Sequence, residues 1–556
     1  MIKFLKRHTP LALAYLAITV LFTYPQILHM TTGCIEPPIG GSNDQYLLMW
    51  DAWWVKEALF DLKTSPYHTH LLNYPQGASL ALSEIGVLNG ILSAPFQFLV
   101  DEPHGLILGY NILIVFSFVA TAIGMYALAF DISGSRAAAF IAGIGFAFMP
   151  YRALYVTTLN LLSTAWIPLY ILFLSRTLRS PRLRNAAWSA IFFLLTLHSS
   201  FGYAFFLMLF SMVFVIAHLV SDYKNVLNKQ VIAALAMVSG LCLIIVVPNM
   251  IMILVVGISW SQPVEVSGLL SANLVGYLFP SDQQVLFRFL FSFLPPFDYY
   301  ISGVPGHMTF VSFTLVGLFI YGIVKTPRKQ SLPWLIVFGF FLLLSLGPRL
   351  HFWSWETNIR LPYLLVMKYL PFSSAMRTPC RFVVLERIAL IIIAAYGMKA
   401  LFAGKADNPA HDLGVSWRRR VLLPGVLALL VAAELLHIPF RYVSADVPEI
   451  YLEISRSDKE FAVVDLPITR YRDIAKYMFY QTVHQKPIPI GIVNRPEAGL
   501  EDTTGGILSI LRSIDEITPQ LLDALRDYGA GYVIMHEFQD GADHVTVHEL
   551  LPHGSS

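Results

Sequence analysis

Two carboxylates stand close together near the start of the chain, in the stretch SNDQYLLMWDAWW (residues 42–54). Asp44 and Asp51 are seven residues apart, which is about two turns of an α-helix, so both side chains should share one helix face. Ser42 or Asn43 could cap such a helix, and its tryptophans and leucines suit a lipid–water interface. An acid held there could deprotonate a hydroxyl group or bind a metal ion. The alternative is a solvated acid on an amphipathic interfacial helix.

A second group of candidate residues lies in FSSAMRTPCRF (residues 372–382). Thr378 followed by Pro379 predicts a helix start, because threonine caps helices and proline suits the first turn. Arg377 and Arg381 flank this start, where free N–H groups already favour an anion. Two guanidinium groups add fork-shaped donors, so the sequence predicts a phosphate-binding site here. The alternative is that both arginines only extend toward the membrane surface at the end of a span.

Four other polar residues are candidates for contacting a substrate. Arg152 and Asn160 lie in FMPYRALYVTTLNLLSTAWIPL (residues 148–169), His198 lies in LHSSFGY, and Glu84 precedes an apolar run. Each also has a structural interpretation. The first two could belong to an ordinary polar hairpin, and a lone histidine at a turn is more often a capping or interface residue.

The composition decides which class of protein carries these residues. Of 556 residues, 56% are hydrophobic and 13% are charged, whereas a soluble globular chain has about 25% charged residues. The chain is therefore predicted to be a polytopic membrane protein. A net charge of +2 gives no argument for a nucleic-acid partner, and the three cysteines lack metal-site spacing. A disulfide between Cys34 and Cys380 is conceivable, because both fall near one predicted membrane face.

Apolar runs predict about eleven membrane-spanning helices, the first of them a retained signal anchor. The predicted spans are 10–30, 106–131, 137–150, 162–176, 186–199, 201–220, 231–257, 306–325, 332–348, 382–403 and 421–440. A further run, 85–100, is interrupted by Asn89, Gly90 and Pro95, and we predict that it is interfacial or re-entrant.

The basic residues predict the orientation of these spans, because cytoplasmic loops carry most lysine and arginine. The basic clusters are 3–7, Arg136, 176–184, Lys224, Lys229, 325–329 and 416–420. All of these basic clusters lie on the cytoplasmic side if the run 85–100 does not cross the membrane. The N-terminus is then cytoplasmic and the C-terminus lies outside. The segments predicted to be outside are 31–105, 151–161, 258–305, 349–381 and 441–556.

The chain changes character after residue 440, where strand and helix patterns alternate. Strands are predicted at 461–467, 487–493 and 531–536, and helices at 471–485 and 519–529. We therefore divide the chain into a membrane domain, 1–440, and a small extracytoplasmic α/β domain, 441–556.

In this order, the features resemble the GT-C superfamily of integral-membrane glycosyltransferases. The stretches that carry the resemblance are GSNDQYLLMWDAWW, LLNYPQGASL (71–80), MPYRALYVTTLNLLSTAWIPL, LSLGPRL, LPYLLVMKYLPFSSAMRTPCRF and the final α/β domain. The resemblance extends over most of the chain and is strongest to bacterial members. It implies a GT-C-like helical fold in the inner membrane of a bacterium, with the last domain in the periplasm.

The resemblance also implies an activity. A sugar linked to a polyprenyl phosphate would pass to a glycan, lipid or protein acceptor on the outer face, next to membrane lipids. Asp44 matches the first-loop acid of the superfamily, its proposed base, and Arg377 and Arg381 would hold the donor phosphate. The sequence departs from the superfamily where Asn43 and Gln45, rather than a second acid, flank Asp44. A tail motif of the WWDYG type is also absent. Both departures argue against glycan transfer to asparagine and against a Mg²⁺ or Mn²⁺ site, so no cofactor is expected.

The expected reaction inverts the sugar: Asp44 accepts a proton from the acceptor hydroxyl, and Asp51 steers the acceptor or orients Asp44. Two other functions fit the same residues. A transporter or flippase of lipid-linked sugars would also need charged groups, although these usually lie near the membrane midplane within inverted repeats. A non-catalytic scaffold subunit would use the outer domain as its partner surface.

Overall fold

A computed structural model describes the chain over residues 2–36, 44–81, 83–255, 264–280, 284–291, 309–352, 355–369, 378–403, 421–468, 470–493, 511, 517–539 and 542–551. The described protein is mostly helical. Its helices are α1 (Ile2–Phe22), α2 (Asp44–Lys56), α3 (Val87–Leu99), α4 (His104–Ser133), α5 (Arg136–Ala147), α6 (Pro150–Leu154), α7 (Leu159–Leu162), α8 (Trp166–Arg179), α9 (Leu183–Ser199), α10 (Phe201–Val226), α11 (Lys229–Val255), α12 (Val264–Leu269), α13 (Val285–Phe291), α14 (Phe313–Lys325), α15 (Arg328–Ser345), α16 (Tyr363–Tyr369), α17 (Val383–Ala403), α18 (Leu423–Leu435), α19 (Glu449–Ser455), α20 (Tyr471–His484) and α21 (Pro519–Asp527).

The strands are short outside the last part of the chain. They are β1 (Gly33–Glu36), β2 (His68–Thr69), β3 (Ala78–Ser79), β4 (Arg349–Phe352), β5 (Trp355–Arg360), β6 (Arg441–Ser444), β7 (Ala462–Leu466), β8 (Ala530–Gln539) and β9 (Ala542–Glu549). β2 pairs with β3 and β4 with β5 as antiparallel hairpins.

The long apolar helices make the chain a multi-pass membrane protein. Within the described residues, the stretches long and apolar enough to cross a membrane are His104–Ser133, Arg136–Leu154, Leu159–Arg179 and Phe201–Val226. Shorter apolar helices are Thr9–Phe22, Val87–Leu99, Lys229–Ile244, Phe313–Lys325 and Leu423–Leu435. The number of about eleven spans stays a prediction.

Small residues allow the helices at the centre of the bundle to pack closely. α17 is almost entirely buried and contacts α5, α14 and α15. A Cβ atom on Gly322 would lie 2.1 Å from the carbonyl oxygen of Ile393, and one on Gly397 would lie 2.4 Å from that of Leu318. Since no real Cβ tolerates such distances, glycine at both positions lets the α14 and α17 backbones touch, as in other membrane helix pairs.

The run 85–100 forms one short helix, α3, that continues through Gly90 and Pro95. Its 13 residues extend about 20 Å at 1.5 Å per residue, which is less than the roughly 30 Å hydrocarbon core. It packs between α2 and α4 and buries Asn89 and Gln97. A Cβ on Gly90 would lie 2.5 Å from Val55 Cβ, so this glycine permits the close contact with α2.

Two parts of the chain that are far apart in sequence meet beside the first helix. β1 pairs antiparallel with β6, and Gly33 lies opposite Ser444. β1 follows α1 and β6 follows α18, so both helices end on the same side of the bundle. The three cysteines, including Cys34 and Cys380, are buried free thiols.

The C-terminal region, which we define as residues 441–551, contains a three-stranded sheet in the order β7–β8–β9. β7 and β8 are parallel, and β8 and β9 are antiparallel. Val463 and Ile534 contribute to the main core, whereas Val464 and Val533 contribute to a second, smaller core, so both sheet faces are covered. The predicted strands at 461–467 and 531–536 correspond to β7 and β8, and the two predicted helices correspond to α20 and α21.

The strand predicted at 487–493 is wrong. Residues 487–493 belong to no strand. The N–H of Ile488 donates to the carbonyl oxygen of Leu71 at 2.9 Å, and the N–H of Tyr74 donates to that of Ile488 at 3.1 Å. Pro487 and Pro489 lack N–H groups, so this segment cannot form a regular ladder and instead pairs with the 71–74 loop.

Candidate functional site

Asp44 begins α2, as the sequence predicts, and its carboxylate accepts hydrogen bonds from two distant parts of the chain. Thr158 Oγ1 donates to Asp44 Oδ2 at 3.3 Å, and the Tyr471 hydroxyl donates to Asp44 Oδ1 at 3.2 Å. Asp44 is only partly buried. Its place in the first turn of α2 also sets the negative charge at the positive end of the helix dipole. The predicted caps, Ser42 and Asn43, lie outside the described residues.

The linker between α6 and α7, together with the start of α7, contacts the other charged candidates. We call residues 155–160 the polar turn. Tyr155 contacts Arg381, whose Cζ lies 5.7 Å from the centre of the Tyr155 ring. Asn160 Nδ2 donates to Glu84 Oε2 at 2.9 Å. Thr158 contacts Asp44 as well. These three contacts bring Asp44, Glu84 and Arg381 together around the polar turn.

The polar turn is supported from below by a buried arginine. Arg152 is fully buried, and its guanidinium donates to the carbonyl oxygens of Ala147 (2.7 Å) and Leu162 (2.9 Å) and to Ser117 Oγ (2.7 Å). It also lies 4.4 Å from the centre of the Phe118 ring. These contacts join both ends of the α6–α7 segment to α4 and α5. Arg152 therefore contacts the protein interior in this structure.

Arg381 retains a donor for an anion. The helix start predicted at Thr378–Pro379 is confirmed: a 3-10 turn, Pro379–Phe382, leads directly into α17, although the Thr378 side chain caps nothing. Burial alone would lower the pKa of Arg381, but Tyr155, Tyr151 and Glu84 together raise it above its ordinary value. The group is therefore charged, and its Nε–H has no hydrogen-bond partner among the residues that the structure describes. Arg377 lies outside the described residues.

Asp51 has a different environment from Asp44. Burial raises the pKa of Asp51 to about 8, so this acid is mostly protonated at neutral pH. His198 is partly buried in the last turn of α9. The contacts that gather Asp44, Glu84 and Arg381 around the polar turn include neither of these two residues.

Several residues of the site were not singled out from the sequence. Tyr155 and Thr158 lie within the stretch 148–169 that contains Arg152 and Asn160. The sequence therefore indicates this stretch, but it does not indicate that Tyr155 and Thr158 contact Arg381 and Asp44. Nothing in the sequence around Tyr471 points to Asp44, because the two are separated by 427 positions.

The helix that carries Tyr471 is fixed on α2 by buried polar contacts. Trp50 Nε1 donates to Gln481 Oε1 at 2.8 Å, and Gln481 Nε2 donates to the carbonyl oxygen of Leu71 at 2.7 Å. The Phe479 ring lies 5.3 Å from that of Tyr46. α2 and α20 are therefore packed together along much of their length.

A second polar cluster lies inside the C-terminal region. His536 Nδ1 is 3.0 Å from Asp543 Oδ1, and its Nε2 is 3.1 Å from Asp465 Oδ1. Tyr480 donates to Asp543 at 2.7 Å, and Tyr451 donates to Asp465. Burial alone would lower the pKa of His536, but the bonds to the two aspartates outweigh it and raise this pKa to about 8. The cluster joins β7, β8 and β9 to α19 and α20.

The described residues contain no group of three or more His, Cys, Asp or Glu side chains that could hold a metal ion. The candidate site around the polar turn thus consists of hydrogen-bonding and charged groups. It can accept a proton at a carboxylate and bind an anion at a guanidinium.

Comparison with solved structures defines the class of fold. No family model and no curated protein matches the chain. The oligosaccharyltransferase of Archaeoglobus fulgidus, tethered with an acceptor peptide, matches over 95% of this chain and 68% of that one, with 12% identity and a TM-score of 0.50. The oligosaccharyltransferase AglB from the same organism, in complex with an inhibitory peptide and a dolichol-phosphate, matches over 96% of this chain and 70% of that one, with 12% identity and a TM-score of 0.48.

A further match is ArnT from Cupriavidus metallidurans in the apo state, which covers 96% of this chain and 93% of that one, with 11% identity and a TM-score of 0.46. At these identities the likeness concerns the fold. The chain shares the fold of the tethered archaeal oligosaccharyltransferase, in agreement with the fold that the sequence resemblance predicts.

Proposed function

We propose that this protein is a membrane glycosyltransferase that moves a sugar from a polyprenyl-phosphate-linked donor to an acceptor hydroxyl on the outer face of the membrane. The observation that carries the proposal is the polar turn, which gathers Asp44, Glu84 and Arg381 through Thr158, Asn160 and Tyr155. The GT-C fold supports it, because the archaeal enzyme with that fold is an oligosaccharyltransferase.

In the proposed reaction, the acceptor oxygen attacks the anomeric carbon while Asp44 takes the hydroxyl proton. The bond between that carbon and the phosphate oxygen breaks on the opposite side, so the configuration inverts. The leaving polyprenyl phosphate carries the negative charge. Arg381 stabilises it through a permanent charge and through its Nε–H, to which no described residue bonds. This is the kind of preorganised electrostatic contact that contributes most to catalysis.

The other candidate residues have supporting roles in this proposal. Glu84 and Asn160 bind hydroxyl groups of the sugar or the acceptor, since a carboxylate and an amide supply both acceptors and donors. Asp51, in its neutral form, steers the acceptor. Arg377 would share the donor phosphate with Arg381, and His198 would contact the substrate from α9.

The proposal includes a topology. The N-terminus is cytoplasmic, and the C-terminal domain, 441–556, lies outside the inner membrane of a bacterium next to the 31–105 segment. The β1–β6 pairing and the packing of α20 on α2 support this, because they require both segments to be on one side.

The test uses purified protein in liposomes with radiolabelled polyprenyl-phosphate sugars and the lipid, glycan and protein fractions of a bacterial envelope as acceptors. Wild-type protein should transfer label, and Asp44→Asn should reduce the rate at least about 100-fold, because general base catalysis contributes that much. Asp61→Asn is the matched control, since Asp61 follows α2 and pairs with Lys56 at 2.9 Å. Asp51→Asn should retain most of the rate, because asparagine resembles the protonated acid.

Full activity of Asp44→Asn would contradict the assignment of the base. Movement of labelled donor across the bilayer without transfer would instead identify a flippase. If the protein neither transfers the sugar nor moves any donor across the bilayer, the result would favour a scaffold function.

A further inference from the structure

We propose that Tyr471 positions Asp44, so that the C-terminal region completes the site that the membrane helices begin. This inference rests on the proposed function, because it concerns the residue that we assign as the base. It gives the C-terminal region a part in the reaction itself.

The hydrogen bonds around Asp44 carry the proposal. Oδ1 accepts from the Tyr471 hydroxyl at 3.2 Å, and Oδ2 accepts from the Thr158 hydroxyl at 3.3 Å. One donor on each oxygen, from two distant parts of the chain, fixes the plane of the carboxylate. Each carboxylate oxygen has a second lone pair, so the acceptor hydroxyl can still bind while both contacts remain.

The position of Tyr471 depends on the docking of α20 and not on its own burial. α20 is held on α2 by the buried Trp50–Gln481 bond and by the bond from Gln481 to Leu71. Tyr471 is the first residue of α20 and is 48% exposed. Removing only its hydroxyl should therefore leave the helix in place and change mainly the contact to Asp44.

A donor to a carboxylate favours the ionised form, which is the form that can act as a base. The ionisable groups near Asp44 are Tyr110 on α4, Tyr155 in the polar turn and Tyr471 on α20, and Arg381 lies beyond Tyr155. Of these groups, Tyr471 is a direct donor to the carboxylate. Loss of its hydroxyl should weaken both the orientation of Asp44 and its ionisation.

The experiment compares wild-type protein with Tyr471→Phe in two measurements. The first is the pH dependence of transfer, where we expect kcat to fall about tenfold at neutral pH, since a hydrogen bond to a charged group has about that effect. The acidic limb of the profile should move to higher pH, because the ionised carboxylate loses a donor. The second is the pH dependence of carbodiimide modification of Asp44, followed by peptide mass spectrometry, because carbodiimides react with the protonated carboxyl group.

Tyr532→Phe is the matched control, because Tyr532 lies opposite Glu549 on the neighbouring strand of the C-terminal region. It should leave both pH profiles unchanged. If the wild type transfers no sugar but Tyr471→Phe still shifts the modification profile, the proposed function is wrong and the positioning by Tyr471 stands. If the wild type transfers sugar and Tyr471→Phe shifts neither profile, the positioning role is refuted.

Discussion

At the scale of single residues, the site separates two acids that look alike in the sequence. Asp44 and Asp51 belong to the same helix and were expected to share a face. Asp44 accepts two hydrogen bonds from distant residues, whereas burial raises the pKa of Asp51 to about 8. The first is suited to act as a base at neutral pH, and the second is suited to remain neutral.

Arg381 gives the second prediction at this scale. Arg381→Ala should lower kcat/KM for the lipid-linked donor about 10- to 100-fold, because a charge-assisted hydrogen bond to phosphate is lost. Arg381→Lys should recover only part of the loss, since lysine keeps the charge but not the planar fork. Initial rates at varied donor concentration measure both effects. Equal activity of the lysine and wild-type proteins would mean that only charge matters at this position.

At the scale of elements, the polar turn is the part of the fold that makes the site. Its residues come from the α6–α7 linker and the first turn of α7, and their partners come from α2, the segment before α3 and the 3-10 turn before α17. Arg152 holds this linker from inside the bundle through the carbonyl groups of Ala147 and Leu162. We therefore assign Arg152 to the support of the site.

Arg152→Ala should consequently lower stability more than it changes substrate affinity. The substitution removes the hydrogen bonds that Arg152 donates to Ala147, Leu162 and Ser117, and such losses cost about 3 kcal/mol in total. Thermal unfolding of the detergent-solubilised protein measures this loss. Arg184→Ala, at an exposed position on α9, should leave the unfolding temperature unchanged. An unchanged unfolding temperature together with a raised KM in Arg152→Ala would show that Arg152 binds substrate after all.

At the scale of the whole molecule, the C-terminal region is attached to the rest of the described chain at several places. β6 pairs with β1, and α20 packs on α2. The buried cluster of Asp465, His536 and Asp543 then connects α20 to the sheet. The integrity of this cluster should therefore affect how firmly Tyr471 is held.

The pH dependence of stability tests this connection. The pKa of His536 is raised from an ordinary value of about 6.5 to about 8, so its ion pairs stabilise the fold fully below about pH 6.5. This stabilisation, about 2 kcal/mol at most, is lost as the pH rises through 8. The pKa of Asp543 is lowered, so its contribution is present above its ordinary range and is lost in acid.

Unfolding temperatures from pH 6 to 9 measure the contribution of His536. The difference between wild type and His536→Gln should be largest near pH 6 and should shrink above pH 8. His544→Gln, an exposed histidine on β9, is the matched control and should show no such trend. A difference that stays constant across this range would mean that His536 is neutral in the folded protein.

The sequence by itself determined the class of protein and most local structure. Apolar runs and few charges predict a membrane protein, and the Thr378–Pro379 pair marks the start of α17. The pattern at 471–485 predicts α20. These features depend on composition, periodicity and capping, which are properties of neighbouring residues. The resemblance to the GT-C superfamily also predicted the fold that the structural comparison supports.

Only the tertiary structure decided which polar residues meet. Asp44, Thr158 and Tyr471 are far apart along the chain, and their contacts depend on how α2, the polar turn and α20 pack. The segment 487–493 shows the same limit, because an extended pattern does not specify its partner, and here the partner is the 71–74 loop. Pairings between distant segments are set by the packing of whole elements, and no local pattern in this sequence specifies them.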